Sequence, residues 1–460
     1  MALKFVNREE ELRAFETWWE EKGAQLIIVY GKRRVGKTEL IKQFMKGKPA
    51  VYYLADRVTD YAQLKALSQK IGESFGDYAL SASGFDDWYK LFAYLSQRKE
   101  RLILAIDEFP YLAEANRAIS SIFQKGWDEY LKNSRMMLIL SGSSIGMMEK
   151  ELLAYRAPLY GRRSGQIFLK PMRFFTARKF FPGKTFEEFL EIYTIAGGIP
   201  AYLLEIDAHV SLETNLRQKI FNPKQYLYQE GEFILYEELR EPRTYLTILK
   251  AIAFGKRKFG EIANESGLAK NVLMKYLHIL EDLCLVEKEV PVTEKNPLLS
   301  KKGLYRIQDQ FLNFWFKYVF PFKSQLELGD QARSFSEMKK TFRNELSRTY
   351  ELAAREIIQR YPRLPKFTKV GRFWERDLEI DLVALNEETK EIMFGEAKWS
   401  DKLVGIDIFQ ALKAKAERVP WGKGKRKEYF CLFSKSGFTP EMMKIAKKEK
   451  VFLFQKDNLL

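Results

Sequence analysis

Gln25-Leu-Ile-Ile-Val-Tyr30 leads straight into Gly31-Lys32-Arg33-Arg34-Val35-Gly36-Lys37-Thr38, and Glu39-Leu-Ile-Lys-Gln-Phe44 follows. An apolar run, a glycine-bounded basic loop and a helical pattern, in that order, predict a buried strand, a phosphate loop and a helix start. Gly31 and Gly36 omit the Cβ atoms that would obstruct a tight backbone curl, so successive amide N–H groups can turn inward around an anion. Lys32, Arg33, Arg34 and Val35 supply the amides between them. The helix beginning near Lys37 adds unpaired N–H groups and the positive end of its dipole. In such a loop Lys37 reaches the β- and γ-phosphates and the Thr38 hydroxyl goes to Mg²⁺, with Glu39 closing the binding stretch. The expected ligand is ATP with Mg²⁺.

A second apolar run, Leu102-Ile-Leu-Ala-Ile106, delivers Asp107-Glu108 at its carboxyl end, where open α/β sheets place ligand chemistry. Asp107 is then expected to bind Mg²⁺ through water and Glu108 to polarise the attacking water. The plainer reading is two exposed acids ending a strand. The next strand ends Leu140-Ser-Gly-Ser143-Ser144, whose hydroxyls read equally as a γ-phosphate sensor or as a Ser/Gly turn. Arg162-Arg163 read as an exposed basic pair, or as arginines approaching phosphate from a lid or from a neighbouring subunit. The last alternative implies a homo-oligomer.

At 460 residues the chain exceeds one ordinary core, and 46% hydrophobic content is a globular value. No apolar run approaches the ~18 residues needed to span a bilayer. The N-terminus turns acidic at Glu9-Glu10 without a signal-like apolar core, so the cytoplasm is the expected compartment. Cys284 and Cys431 are too few for a disulfide framework or a zinc site. His209 and His278 are the only histidines, which argues against histidine-based metal or acid–base chemistry. The net charge of +16 produces a long-range attraction for polyanions.

Short apolar strands alternate with amphipathic helices from Leu3 to about Leu204, which predicts an α/β sheet. Strands are expected at Gln25–Tyr30, Ala50–Leu54, Leu102–Ile106, Met136–Leu140 and Gln166–Leu169. Helices are expected at Tyr61–Gly72, Phe85–Ser96 and Arg117–Leu131. Between Thr185 and Leu235 helical periodicity dominates, interrupted by Gly197-Gly198-Ile199-Pro200. Together with the loop at 31–38, Ile106-Asp-Glu108 and Leu140-Ser-Gly-Ser-Ser144, this element makes the chain resemble the archaeal ATPases of the STAND class, an AAA-like branch of the P-loop NTPases. That resemblance implies ATP binding and hydrolysis coupled to conformational switching, a winged helix and a nuclease-like C-terminal domain. The implied division is a P-loop core over 1–184, a helical lid over 185–240, a winged helix-turn-helix with an aromatic junction over 241–320, and an α/β restriction-endonuclease-like domain over 335–460.

The residues of the middle segment fit that division. Tyr245–Ala253 and Phe259–Glu265 read as helices, Ser266-Gly-Leu268 as a tight turn, Lys270–Leu283 as a third helix and Leu285–Pro291 as a strand entering a wing. Lys270, Asn271 and Lys275 would face a DNA groove; packing or regulation is the competing use. Tyr305–Tyr318 is dense in aromatic residues and reads as a core junction.

Near the C-terminus, Glu379-Ile-Asp381-Leu-Val-Ala-Leu385 and Ile392-Met-Phe-Gly-Glu396-Ala-Lys398 alternate as strands across a polar link. A hairpin symmetric about Glu388–Thr389 sets Asp381 opposite Glu396, with Lys398 on the same face. Two opposed carboxylates repel and call for a cation such as Mg²⁺. This pattern resembles the PD-(D/E)xK nucleases, with Asp381, Glu396 and Lys398 as the triad and Glu351 on a preceding helix. The competing reading pairs Glu379 with Lys398 as a solvated charged face. The functional expectation is an ATP-driven switch acting on DNA, against a DNA-binding regulator with a silent C-terminal domain or a signalling scaffold.

Overall fold

The computed structural model describes residues 5–239 and 241–460; the first four residues of the expected core and Arg240, at the end of the expected lid, lie outside them. The chain divides into two compact units, one running to Met172 with Ile199–Ala201 and the other comprising Arg173–Gly198 with Tyr202–Leu460. Boundaries at 184 and 240 do not coincide with that division.

The first unit is built on strands β1 (Gln25–Tyr30), β2 (Ala50–Leu54), β3 (Leu102–Asp107), β4 (Met136–Gly142) and β5 (Gly165–Phe168). They form one parallel sheet in the order β2-β3-β4-β1-β5. Every residue of β1, β3 and β4 is buried, which is what unbroken apolar runs achieve in a sheet covered on both faces. The edge strands β2 and β5 are only partly buried. Phe15 stacks on Phe44 at 4.7 Å among Ile27, Val29 and Leu40, anchoring the helix that follows β1. Burying each such ring is worth about 2 kcal/mol.

Local capping sets where the helices begin and end. The expected Tyr61–Gly72 helix runs Asp60–Phe75 because Thr59 caps it and Gly76, left-handed at φ 67°, ends it. The Phe85–Ser96 expectation is corrected to Trp88–Ser96: the Asp87 carboxylate accepts from the amides of Tyr89 and Lys90, leaving Phe85 outside. The Arg117–Leu131 helix starts at Ile119 and passes at Trp127 into a π turn ending at Leu131.

In the second unit, helices Pro242–Ala253, Phe259–Ser266 and Lys270–Asp282 precede an antiparallel pair, β6 (Val286–Glu289) and β7 (Leu304–Ile307). Gly267, at φ 68°, turns the chain between the second and third helices. The aromatic stretch is part of β7 followed by a helix, Gln310–Tyr318, that buries Phe311, Phe314, Trp315 and Tyr318. A long helix, Ala332–Arg360, then leads to β8 (Lys369–Glu375), β9 (Leu378–Asn386), β10 (Glu391–Lys398), β11 (Lys427–Ser434), β12 (Phe452–Gln455) and β13 (Asn458–Leu459). These six form a mixed sheet in the order β13-β12-β11-β10-β9-β8. Ile380, Val383, Ile392, Phe394 and Leu432 contribute to its core. Leu382 pairs with Gly395 and Asn386 with Glu391, so the hairpin is centred on Glu388–Thr389, whose amides donate to the Asn386 side chain.

Candidate functional site

The loop after β1 curls where the chain has no side chain to spare. A Cβ on Gly31 would stand 2.3 Å from the Leu169 carbonyl oxygen, and Gly31 sits at φ 149°. Gly36, at φ 96°, caps the helix Lys37–Met45, and a Cβ there would meet the Pro200 ring at 3.9 Å. Pro200 thus approaches the loop. Lys32, Arg33, Arg34 and Val35 span the curl, with Arg34 left-handed at φ 67°, and Glu39 lies in the first turn of the helix. Lys37 is buried, and its ammonium donates to the carbonyls of Gly31 at 2.9 Å and Lys32 at 3.0 Å. It is held across the mouth of the loop.

Thr38 and Asp107 converge from separate elements: the hydroxyl donates to Oδ2 at 2.5 Å. Tyr52 on β2 donates to the same oxygen at 2.9 Å. Burial and the Asp107 charge push the Tyr52 phenol well above its ordinary range, so it remains a neutral donor. Glu108 follows at φ 55°, a left-handed conformation uncommon for a non-glycine residue. Its carboxylate accepts from the Ser143 hydroxyl at 2.8 Å and the Ser143 amide at 3.2 Å. Ser143 therefore orients Glu108. Arg162 makes a bidentate pair with Asp128, at 3.0 and 2.8 Å, and Arg163 donates to the Leu153 carbonyl.

Residues 5–206 match a family described as an ATPase domain predominantly from Archaea. The uncharacterized protein MJECL04 of Methanocaldococcus jannaschii is 36% identical over 427 residues, covering 88% of this chain and 94% of that protein. The chain belongs to this archaeal ATPase family. A second relative from the same organism, the uncharacterized ATP-binding protein MJ0423, is 61% identical over 46 residues, or 10% of this chain and 78% of that one. The Walker-type ATPase PABY2304 of Pyrococcus abyssi aligns with a TM-score of 0.52 at 23% identity, covering 68% of this chain and 96% of that chain, a likeness of fold. Residues 315–416 match a family described as archaea bacterial proteins of unknown function.

This archaeal ATPase carries a second cluster of acids. The β9–β10 register that pairs Leu382 with Gly395 brings Asp381 and Glu396 to neighbouring positions, and Asp381 accepts from the Ala397 amide at 3.3 Å. Burial and the Glu396 charge raise the Asp381 carboxyl. Glu351, on the helix Ala332–Arg360, is pushed up to about 7 by burial and by Asp381. Lys398 donates to Glu396 at 2.6 Å, and Lys415 lies 3.3 Å from the same carboxylate. Glu379 pairs with Arg372, not with Lys398.

Among the described residues no group of three or more His, Cys, Asp or Glu side chains is placed to hold a metal. No helix there is long and apolar enough to cross a membrane. Sequence reasoning missed Tyr52, the restraint of Glu108 by Ser143, and a knot of Arg257, Arg355 and Arg372 on Glu289. An alternating strand gives no reason to single out one tyrosine, and arginines from a loop, a helix and a strand far apart in the chain share no spacing.

Proposed function

We propose that the chain is an ATP-hydrolysing switch of the STAND type, in which the helix–strand module at 242–307 acts as a winged helix and the C-terminal sheet as a PD-(D/E)xK-like output acting on DNA. The 2.5 Å bond between Thr38 and Asp107 carries the ATPase reading, because it joins the end of the phosphate loop to the acid of β3. Hard oxygen donors so close, beside the glycine-bounded loop, fit Mg²⁺. That ion typically takes one or two protein ligands and completes its shell with phosphates and water, so two side chains suffice. Bound there, it would offset charge on the phosphate oxygens.

Lys37 would exchange its two loop carbonyls for β- and γ-phosphate oxygens, and loop amides would hold the remaining oxygens. Glu108, fixed by Ser143, would orient the attacking water and accept hydrogen bonding from it. Near-complete conversion of a two-state switch requires ATP to favour one state by about 5.5 kcal/mol. Lys37→Ala is expected to abolish ATP binding and turnover by the purified chain; Mg-ATPase activity equal to the parent's would overturn this reading. Arg162, committed to Asp128, gives no support to a role in a neighbour's site.

Asp381 and Glu396 would share a second Mg²⁺, with Lys398 orienting water and Glu351 beside Asp381. Burial first, and then the charge of Glu396 on Asp381 and of Asp381 on Glu351, raise these carboxyls, and a cation would favour their ionised forms. One observation favours the alternative of a DNA-binding regulator without cleavage: two lysines already neutralise Glu396. Incubation of labelled DNA with Mg²⁺ or Mn²⁺ separates the two. Cleavage lost in Asp381→Ala supports the output reading, and binding without cleavage supports the regulator.

A further inference from the structure

The second unit contains a cavity of about 1020 Å³, large for a small-ligand site. Nine lysines and arginines line it against six aspartates and glutamates, so its walls are net positive. Its charge is organised around one carboxylate. Glu289, at the end of β6, accepts from Arg257 at 3.1 Å, from Arg355 at 3.1 Å and from Arg372 at 3.3 Å. Burial alone would raise Glu289, but the surrounding arginines outweigh it and hold the group ionised.

Glu289, shared by all three, and Glu379, which pairs with Arg372 alone, leave three guanidinium groups short of acceptors. The buried Nε–H groups of Arg257, Arg355 and Arg372 have no acceptor among the described residues. These Nε–H groups are sealed from the cavity, but the same three side chains line its net-positive wall, and planar guanidinium groups there suit phosphate oxygens. Glu351 lines the same cavity one helical turn from Arg355, and its electrostatic partner is Asp381. The basic wall therefore continues into the acidic cluster.

We propose that this cavity holds phosphate groups of a nucleic-acid strand through Arg257, Arg355 and Arg372 and leads that strand to Asp381. This deepens the output reading above, on which its choice of a strand rests. Free nucleotides share the phosphate chemistry, and the test separates them.

The full chain carrying Lys37→Ala, which removes the loop's contribution, is titrated with a fluorescent single-stranded oligodeoxynucleotide in EDTA. Saturable binding is expected, with log K falling against log salt at a slope of about −2 for three phosphate contacts. Arg257→Lys and Arg372→Gln should each weaken it about tenfold while retaining the parent's thermal transition. Where a variant fails to fold, protection of the three arginines from phenylglyoxal by the oligonucleotide, read by mass spectrometry on the parent, decides instead. A slope near zero, unweakened folded variants, no protection, or binding of pyrophosphate and ATP but not the oligonucleotide would each overturn the proposal. Adding Asp381→Ala separates this inference from cleavage. Binding that persists with no cleavage by any chain leaves the strand site standing without the nuclease. Asp381-dependent cleavage indifferent to the arginines does the reverse.

Discussion

At Gly31 the loop has no tolerance for a side chain, because the Leu169 carbonyl lies 2.3 Å from where a Cβ would stand. Gly31→Ala should destabilise the fold by about 3 kcal/mol, read as a lowered denaturant midpoint. Tyr52 acts more gently: it donates to Asp107 without belonging to the loop. Tyr52→Phe should leave nucleotide affinity within a few-fold and lower turnover, about tenfold for one charged hydrogen bond. Equal turnover in a steady-state assay would show that Asp107 needs no such tether. Glu351 carries a pH dependence of definite sign. Its folded carboxyl is raised to about 7, so the native chain binds that proton more tightly than the unfolded chain does. This makes its contribution to stability decline as pH climbs from the ordinary glutamate value toward 7. In EDTA, Glu351→Gln should therefore stabilise the chain at pH 8 more than at pH 4.5, by about 2 kcal/mol in paired denaturation curves.

Among the elements, the core strands were legible because each must be apolar on both faces, and β1 to β4 lie where their runs predict. Helix starts were less legible, since Asp87 recruits two amides through its side chain and displaces the start beyond Phe85. The turn from helix into π geometry at Trp127 has no mark in periodicity. Packing between elements is also hidden. Gly231, within Tyr226–Glu238, reads locally as a weak helix residue, yet a Cβ there would come within 2.3 Å of the Trp315 ring. Trp315 is itself pinned by an indole bond to the Tyr228 carbonyl at 2.7 Å. Gly231→Ala should thus cost about 2 kcal/mol by thermal melt, although alanine favours a helix by about 1 kcal/mol at an open position.

For the molecule as a whole, every side chain assigned to the nucleotide lies in the first compact unit. Mg-ATP at a hundredfold excess over its dissociation constant should stabilise that unit by about 2.7 kcal/mol, and Lys37→Ala should remove the calorimetric shift. The amino-acid order alone specified the glycine-bounded loop, the Asp-Glu strand end and the β9–β10 hairpin, because each depends on neighbours along the chain: glycine freedom, strand alternation, turn length. Folding alone decided that Thr38 meets Asp107, that Ser143 holds Glu108, and that Arg257, Arg355 and Arg372 gather on Glu289. Those meetings join segments far apart in the chain, and no local preference encodes a distance that only sheet order and helix packing can close.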